Sequence, residues 1–198
     1  MKENSIPDKK MRILQAAVKV FSENGFHEAK MEKIAEVADV GKGTVYEYFK
    51  SKEELFIEMF KVGSDYYMQQ VNDEVNTASS AEEKLLKVME LHFRFMQENR
   101  DLARLIMQEH HQINKNIQQW GHCQHNEKIN IITKIIAEGI ENKEFKTSNP
   151  EVTAALIFAM VAATGGMVMF SPKQLKVEDI LASIKEMLTD GIIIKKPT

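Results

Sequence analysis

Apolar positions recur at helical spacing along nearly the whole chain. Ile13, Ala16, Ala17, Val20 and Phe21 fall at i, i+3, i+4, i+7 and i+8, one stripe of a helix. No segment alternates apolar and polar residues between turn-type glycines, as a half-buried strand would. Prolines occur only at positions 7, 150, 172 and 197, so residues 8–149 contain no helix breaker of that kind. The pattern predicts an all-α chain of about nine helices.

The boundaries follow from local chemistry. The first helix is expected from an Asp8 cap to about Asn24, with Gly25 as a left-handed C′ residue. A short helix, Met31 to Ala38, turns inward Met31, Ile34, Ala35 and Ala38. Asp39-Val40-Gly41 is the turn, and a third helix runs from Lys42 to Phe49. Ser51-Lys-Glu-Glu54 and Ser80-Ala-Glu-Glu83 are capping boxes that open helices four, to about Asn76, and five, to about Gln97. Asn99 or Asp101 caps a sixth helix to about Gln112, and a seventh spans about Asn114 to Asn142 with a break at Gly121. Asn149-Pro150 places a cap before a proline at N1, opening an eighth helix to Phe170. The ninth runs from Val177 to Ile194. A tail to Ile6 and an end from Lys195 are expected to fray.

The third helix does not look built for burial alone. Val45 and Phe49, four apart, are its core positions, while Lys42, Thr44, Tyr46, Glu47 and Tyr48 are left for other contacts. Two short helices joined by a turn with a glycine match the helix-turn-helix, whose second helix enters the major groove of DNA. Lys42 and Lys52 supply charge at both ends of that element. Tyr46 and Tyr48 carry hydroxyls that reach phosphates, and Thr44 is small enough to meet a base edge. Gly43 removes a side chain where a backbone must approach closely. The alternative for the two tyrosines is interhelix packing, and for a lone lysine it is solvated charge.

Many positions at fixed spacing carry a family resemblance over about 45 residues, from Arg12 to Leu55. They are Ile13-Leu-Gln-Ala-Ala17, Phe21, Asn24-Gly-Phe26, Ile34-Ala35, Ala38, Val40, Gly43-Thr-Val-Tyr46, Tyr48-Phe-Lys-Ser-Lys52 and Leu55. This stretch resembles the N-terminal domain of the tetracycline-repressor (TetR) family of bacterial transcription regulators. The resemblance implies a homodimeric, all-helical repressor with a ligand-binding C-terminal domain. It implies DNA contacts from Lys42, Thr44, Tyr46, Tyr48 and Lys52. Two positions depart from the family pattern. Ala29-Lys30 stands where a Ser or Thr cap of helix two is usual, so Lys30 is a substitute phosphate contact. Gly41 replaces the Ser that often precedes the recognition helix, and offers no side-chain oxygen.

Charge supports a division at residue 52. Residues 1–52 hold 10 Lys+Arg against 8 Asp+Glu, and residues 53–198 hold 16 against 21, within an overall net charge of -3. A mildly basic DNA-binding domain, 1–52, precedes an acidic ligand-binding and dimerisation domain, 53–198. Cys123 is the single cysteine, which excludes an intramolecular disulfide. Residues 1–8 hold no apolar run, so no secretory leader is expected from them. Ala154 to Phe170 falls short of a membrane span, so a soluble cytoplasmic chain with no membrane partner is expected.

The C-terminal part lacks a P-loop, a GxSxG elbow and an HExxH motif, so no enzymatic activity and no cofactor are expected. His122 and His125 have metal-ligand spacing, with His110, His111 and Cys123 nearby. A structural zinc site wants three or four converging ligands, so no metal is assigned. The 12 methionines are the stronger signal, because Met lines adaptable apolar surfaces. Phe93, Met96, Met107, His110, Trp120, Phe158 and Met169 are the candidate lining of a pocket for a lipophilic effector. His92, Arg94 and Glu109 join His110 as candidates for its polar end. Ordinary core packing is the alternative. This body resembles, loosely, the family's regulators of fatty-acid metabolism.

Small residues in helix eight, including Gly165 and Gly166, predict close approach of another helix. Following the family, the last two helices would pair with those of a second copy. The expected function is a ligand-responsive repressor on a palindromic double-stranded operator, released when effector shifts helices four to seven. A ligand-independent DNA-binding adaptor, controlled by a protein partner, is the rival reading.

Overall fold

The computed structural model describes residues 8–109, 115–170 and 176–192, without the side chains of 106–109, 115–118, 120, 121, 124, 169, 170, 189 and 190. Nine helices lie among the described residues: α1 (Lys9–Glu28), α2 (Met31–Val37), α3 (Lys42–Tyr48), α4 (Lys52–Thr77), α5 (Ala81–Glu98), α6 (Arg100–Glu109), α7 (Lys115–Glu141), α8 (Pro150–Phe170) and α9 (Val177–Gly191). The expected ends of the sixth and ninth helices, and both frayed termini, lie outside the described residues. Two compact units share the chain. One is Met1–Tyr66 with Asp101–Gln118, the other Tyr67–Arg100 with Gln119–Thr198. The sequence division at residue 52 is simpler than this, because α4 contributes to both units and α6 belongs with the first.

The first unit is built on an aromatic cluster. Phe56 meets Phe21, Phe26 and Phe60 edge to face, at centroid distances of 5.0, 4.9 and 4.7 Å. That geometry sets the positive ring edge against the negative ring face. Phe26 reaches the cluster because α1 kinks at Gly25, with φ 73° and ψ 163°. The expected left-handed stop is therefore corrected. Gly25 has the positive φ but not the αL ψ, and one more helical turn follows it to Glu28. Only glycine adopts that conformation without strain.

Both serine caps form, but each box closes one residue early. Ser51 Oγ accepts from the Glu54 amide at 3.1 Å, while the Glu54 carboxylate accepts from the amide of Lys50 rather than Ser51. Ser80 Oγ likewise accepts from Glu83, whose carboxylate takes the amide and hydroxyl of Ser79. Asn149 caps α8 through the Val152 amide at 3.0 Å. Asp8 begins α1 without a side-chain cap, and Asn99 ends α5 by donating to the Phe95 carbonyl. α7 runs through Gly121 without the expected break.

In the second unit α5 packs on α8 and α9, burying Leu85, Met89, Phe93, Ile157, Val161 and Ile184. Lys84 bridges α5 to Glu138 on α7 at 2.6 Å, and Arg94 reaches Glu74 on α4 at 2.9 Å. Gly165 is not forced by a close helix: a methyl there would make ordinary contact with Met96 and His92, at 3.6 and 3.8 Å.

Phe56→Ala should cost about 3–5 kcal/mol, since three ring contacts are lost around a cavity that neighbouring rings cannot fill. Denaturant titration of the native and variant proteins measures it; a cost below about 1 kcal/mol would show that the cluster is not the organising core.

Candidate nucleic-acid interface and ligand cavity

The reading head is held by two cations. Arg12 donates to the carbonyls of Ala38 and Asp39, at 2.6 and 2.8 Å, and to the Asp39 carboxylate at 3.1 Å. These groups end α2, where Asp39 takes a positive φ of 53° and the Val40 amide returns to the Ala35 carbonyl. The left-handed residue of the turn is thus Asp39, not Gly41. Aspartate tolerates that region better than most side chains. Lys52 donates to the carbonyls of His27 and Ala29, at 2.8 and 3.0 Å, and its ammonium lies 4.8 Å from the Phe26 ring. Two of its three donor hydrogens are spent on the corner between α1 and α2.

Val45 and Phe49 are buried, as their spacing predicted. The remaining α3 positions face outward. Tyr46 and Tyr48 are each 39% exposed, Thr44 is half-buried, and Lys30, Lys42 and Gly43 are exposed. Lys42 forms an ion pair with Glu32 on α2 and lies 5.8 Å from the Tyr46 ring. The hydrogen bond holds the carboxyl of Glu32 below and the ammonium of Lys42 above their ordinary ranges. Gly43 has no positive φ, and a Cβ built there meets nothing within 4 Å. Neither backbone conformation nor packing within the chain calls for glycine at this site. Gly41 starts α3 with no side-chain cap.

The second unit contains a small cavity lined by Tyr67, Val71, Val88, Met89, His92, Lys128, Ile131, Ile132, Phe158 and Val161. Its free volume is about 20 Å³, room for roughly one water molecule. Of the candidate pocket residues, Phe158 lines it. Phe93 and Met96 are buried on α5 but are not in its wall. The side chains of Met107, Trp120 and Met169, and the whole of His110, lie outside the described residues. Of the proposed polar-end residues, His92 is in the wall, while Arg94 is half-exposed and paired with Glu74. His122, Cys123 and His125 are exposed, and no group of three metal-ligating side chains converges among the described residues.

Tyr67 and Lys128 are the polar wall residues that the sequence reading missed, along with most of the apolar wall. Both were visible as polar residues on apolar stripes: Lys128 precedes Ile132, Ile135 and Ile136, and Tyr67 precedes Val71. The Lys128 ammonium stands 4.9 Å over the Tyr67 ring, whose edge meets His92 with centroids 6.1 Å apart. Burial pushes the Tyr67 hydroxyl up and the Lys128 ammonium down. Burial, then the Lys128 charge, lowers His92 to about 4.

An outward-facing helix-turn-helix and a separate helical body define a DNA-binding transcriptional regulator. Residues 13–59 match the family model described as bacterial regulatory proteins, tetR family, and residues 78–165 match the tetracyclin repressor-like C-terminal domain. The chain is 30% identical over 185 residues to the fatty acid metabolism regulator protein of Bacillus subtilis, covering 93% of this chain and 95% of that one. The crystal structure of FadR from B. subtilis in complex with stearoyl-CoA superposes with a TM-score of 0.83 at 30% identity, over 91% of this chain and 98% of that one. The fatty acid degradation regulator FadR from Bacillus halodurans gives 0.85 at 25% identity, over 96% and 98%. The chain belongs to the TetR family of transcriptional regulators.

His92 gives a pH signature. Above about 6.5 the imidazole is neutral folded or unfolded, and its contribution to stability is complete. As pH falls towards about 4, the unfolded chain takes up a proton that the folded chain refuses. Stability should fall through that window by up to about 3 kcal/mol. Urea titrations of native protein and His92→Phe at pH 7 and pH 4.5 measure the difference; an equal loss in both proteins would remove His92 as its source.

Proposed function

We propose that the protein is a ligand-responsive repressor that binds a palindromic operator as a homodimer and releases it when a lipophilic effector enters the second unit. As a bacterial regulator acting on DNA, it would work in the cytoplasm. The observation that carries the DNA half is Gly43. A helical glycine costs about 1 kcal/mol relative to alanine, and nothing within the chain requires this one. Close approach of an external backbone accounts for it, and the neighbouring exposed Lys42, Thr44, Tyr46 and Tyr48 have the chemistry of phosphate and base contacts. Lys30 adds charge at the start of α2. Lys52 plays its part chiefly through the corner that it clamps, with one hydrogen left for a phosphate.

The dimer half rests on α8 and α9. Val152, Leu156 and Met167 on α8 are each more than half exposed, and Ala159 and Ala163 continue their face. Met187 on α9 is 63% exposed. Pro150–Val168 is long and apolar enough to cross a membrane, yet only 22% of it is buried within the chain. An apolar face of that size on a regulator wants a partner, and a two-fold mate would set two recognition helices about 34–36 Å apart, one turn of DNA.

The effector is proposed to be a long-chain acyl compound, because the B. subtilis relative at 30% identity holds stearoyl-CoA. The cavity is apolar and has room for roughly one water molecule, so an acyl chain would have to part the helices that line it. That displacement, passed along α4, is the proposed switch; only a difference in ligand affinity between two states drives it. That small volume also favours a second reading, a DNA-binding adaptor that a protein partner controls. Acyl-CoA that leaves operator binding unchanged would select the adaptor.

Lys42→Ala and Tyr46→Phe should each weaken operator binding by about 1–3 kcal/mol, and Lys42→Ala should reduce the salt slope by about one. Mobility shift at several salt concentrations measures both; unchanged affinity in the two variants would sink the recognition assignment. Leu156→Glu should give a folded monomer with operator affinity at least about tenfold weaker, because one reading head loses its mate. Light scattering reads the mass, and a variant that stays dimeric would move the interface elsewhere.

A further inference from the structure

The cavity wall contains three polar groups that have no hydrogen-bond partner among the described residues. Among the described residues the Tyr67 hydroxyl makes no hydrogen bond, although the residue is 5% exposed. The half-buried His92 ring makes aromatic contacts with Tyr67 and Phe93, and no hydrogen bond. The half-buried Lys128 has the Tyr67 ring beneath its ammonium and forms no ion pair among the described residues, although the charge of the adjacent Glu127 acts on it. The rest of the wall is Val71, Val88, Met89 and the apolar residues of α7 and α8. A half-buried cation that makes no ion pair, and a buried hydroxyl without a partner, are costly in a folded chain. Large-scale packing does not need them, since methionine, phenylalanine and leucine would fill the same spaces.

The three groups share a chemistry. Lysine offers only donors, tyrosine offers a donor on a rigid arm, and neutral histidine offers one N–H. The complementary ligand atom is an oxygen acceptor bearing negative charge. The wall around it is complementary to hydrocarbon. We propose that Tyr67, His92 and Lys128 form the receptor for an anionic head group carried on an apolar chain. This rests on the lipophilic-effector reading and deepens it: the charged end of the effector is read inside the second unit, and the chain fills the space between α5, α7 and α8. A neutral lipid of the same length would leave the ammonium unpaired.

The charge can come from a free fatty-acid carboxylate or from the phosphates of an acyl-CoA. Calorimetric titration of the native protein with oleate, oleoyl-CoA and oleyl alcohol separates the sources, because the three share one hydrocarbon chain. At least one anionic ligand should bind about tenfold tighter than the alcohol, the scale of a charge-assisted hydrogen bond. Lys128→Met should abolish that preference while leaving the alcohol within about twofold. Tyr67→Phe should remove part of it. Both variants should melt at or above the native temperature without ligand, because each removes a polar group held in an apolar wall without a hydrogen bond; a lysine with a purely structural role would lower it.

A preference for the anion that survives in Lys128→Met overturns the proposal. So does equal loss of all three ligands in that variant, which would mark Lys128 as a packing residue. Failure of all three to bind the native protein would instead remove the lipophilic effector itself, a result visible before any substitution is made.

Discussion

The carbonyls left open where α1 ends are the constraint on which the reading head depends. A helix terminus buried without donors is costly, and this one turns sharply at Gly25 so that Phe26 can enter the aromatic cluster. Lys52 supplies the missing donors to His27 and Ala29 from the first turn of α4. The same residue lies against the face of Phe26, so the charge and the ring hold one another in place. Arg12 does the corresponding work at the end of α2, on the carbonyls of Ala38 and Asp39. Each clamp is a cation from one helix on the C-terminal carbonyls of another, where the helix dipole is negative. The two helices of the DNA-reading motif are therefore held chiefly by groups outside α3, and the outward face of α3 adds only the exposed Lys42–Glu32 pair to that hold.

Residues that the fold does not need are the most informative ones in the molecule. Among the described residues, Gly43 lacks a conformational or packing reason, Lys128 makes no ion pair, and Leu156 on α8 lacks a covering surface. Each breaks a local rule that its neighbours obey. A sequence that satisfies packing, capping and charge pairing at most positions departs from them where a partner completes the environment. The three departures differ in kind, and so do the proposed partners: a nucleic-acid backbone, an anionic lipid and a second copy of the chain.

The sequence was most legible where structure is local. Helix periodicity placed Val45 and Phe49 in the core, and the serine caps of α4 and α5 sit where the boxes predicted. What failed were details set by neighbours. The Glu54 carboxylate reaches the Lys50 amide rather than that of Ser51, and α1 continues past its glycine because Phe26 has rings to join. The cavity was harder still. Phe93 and Met96 are apolar and on the right helix, but periodicity does not say which of several faces of α5 meets α7 and which meets α8 and α9. Lys128 was not singled out, although its spacing to Ile132 and Ile135 places it on the apolar stripe. A lone cation on an apolar stripe carries more information than the methionines around it, because methionine is compatible with any apolar environment.

α4 gives these separate features a common mechanical element. Its first residue, Lys52, clamps the corner beneath the DNA-reading helices, and about four turns later Tyr67 stands in the cavity wall beside His92 and Lys128. On the proposed reading, a ligand does not need to touch the reading head to disturb it. Turning a two-state equilibrium from 1:99 to 99:1 takes about 5.5 kcal/mol of differential affinity. An apolar chain alone supplies that only if one state offers much more contact than the other. A half-buried ammonium that makes no ion pair in one state and meets an anionic head group in the other adds a second source, tied to the chemistry of that head group. The polar trio would then be the reason that the switch responds to an acidic lipid and not to hydrocarbon in general. The instability that it imposes on the empty protein would be part of the same device, because a closed cavity that already satisfied its polar groups would have less to gain by opening.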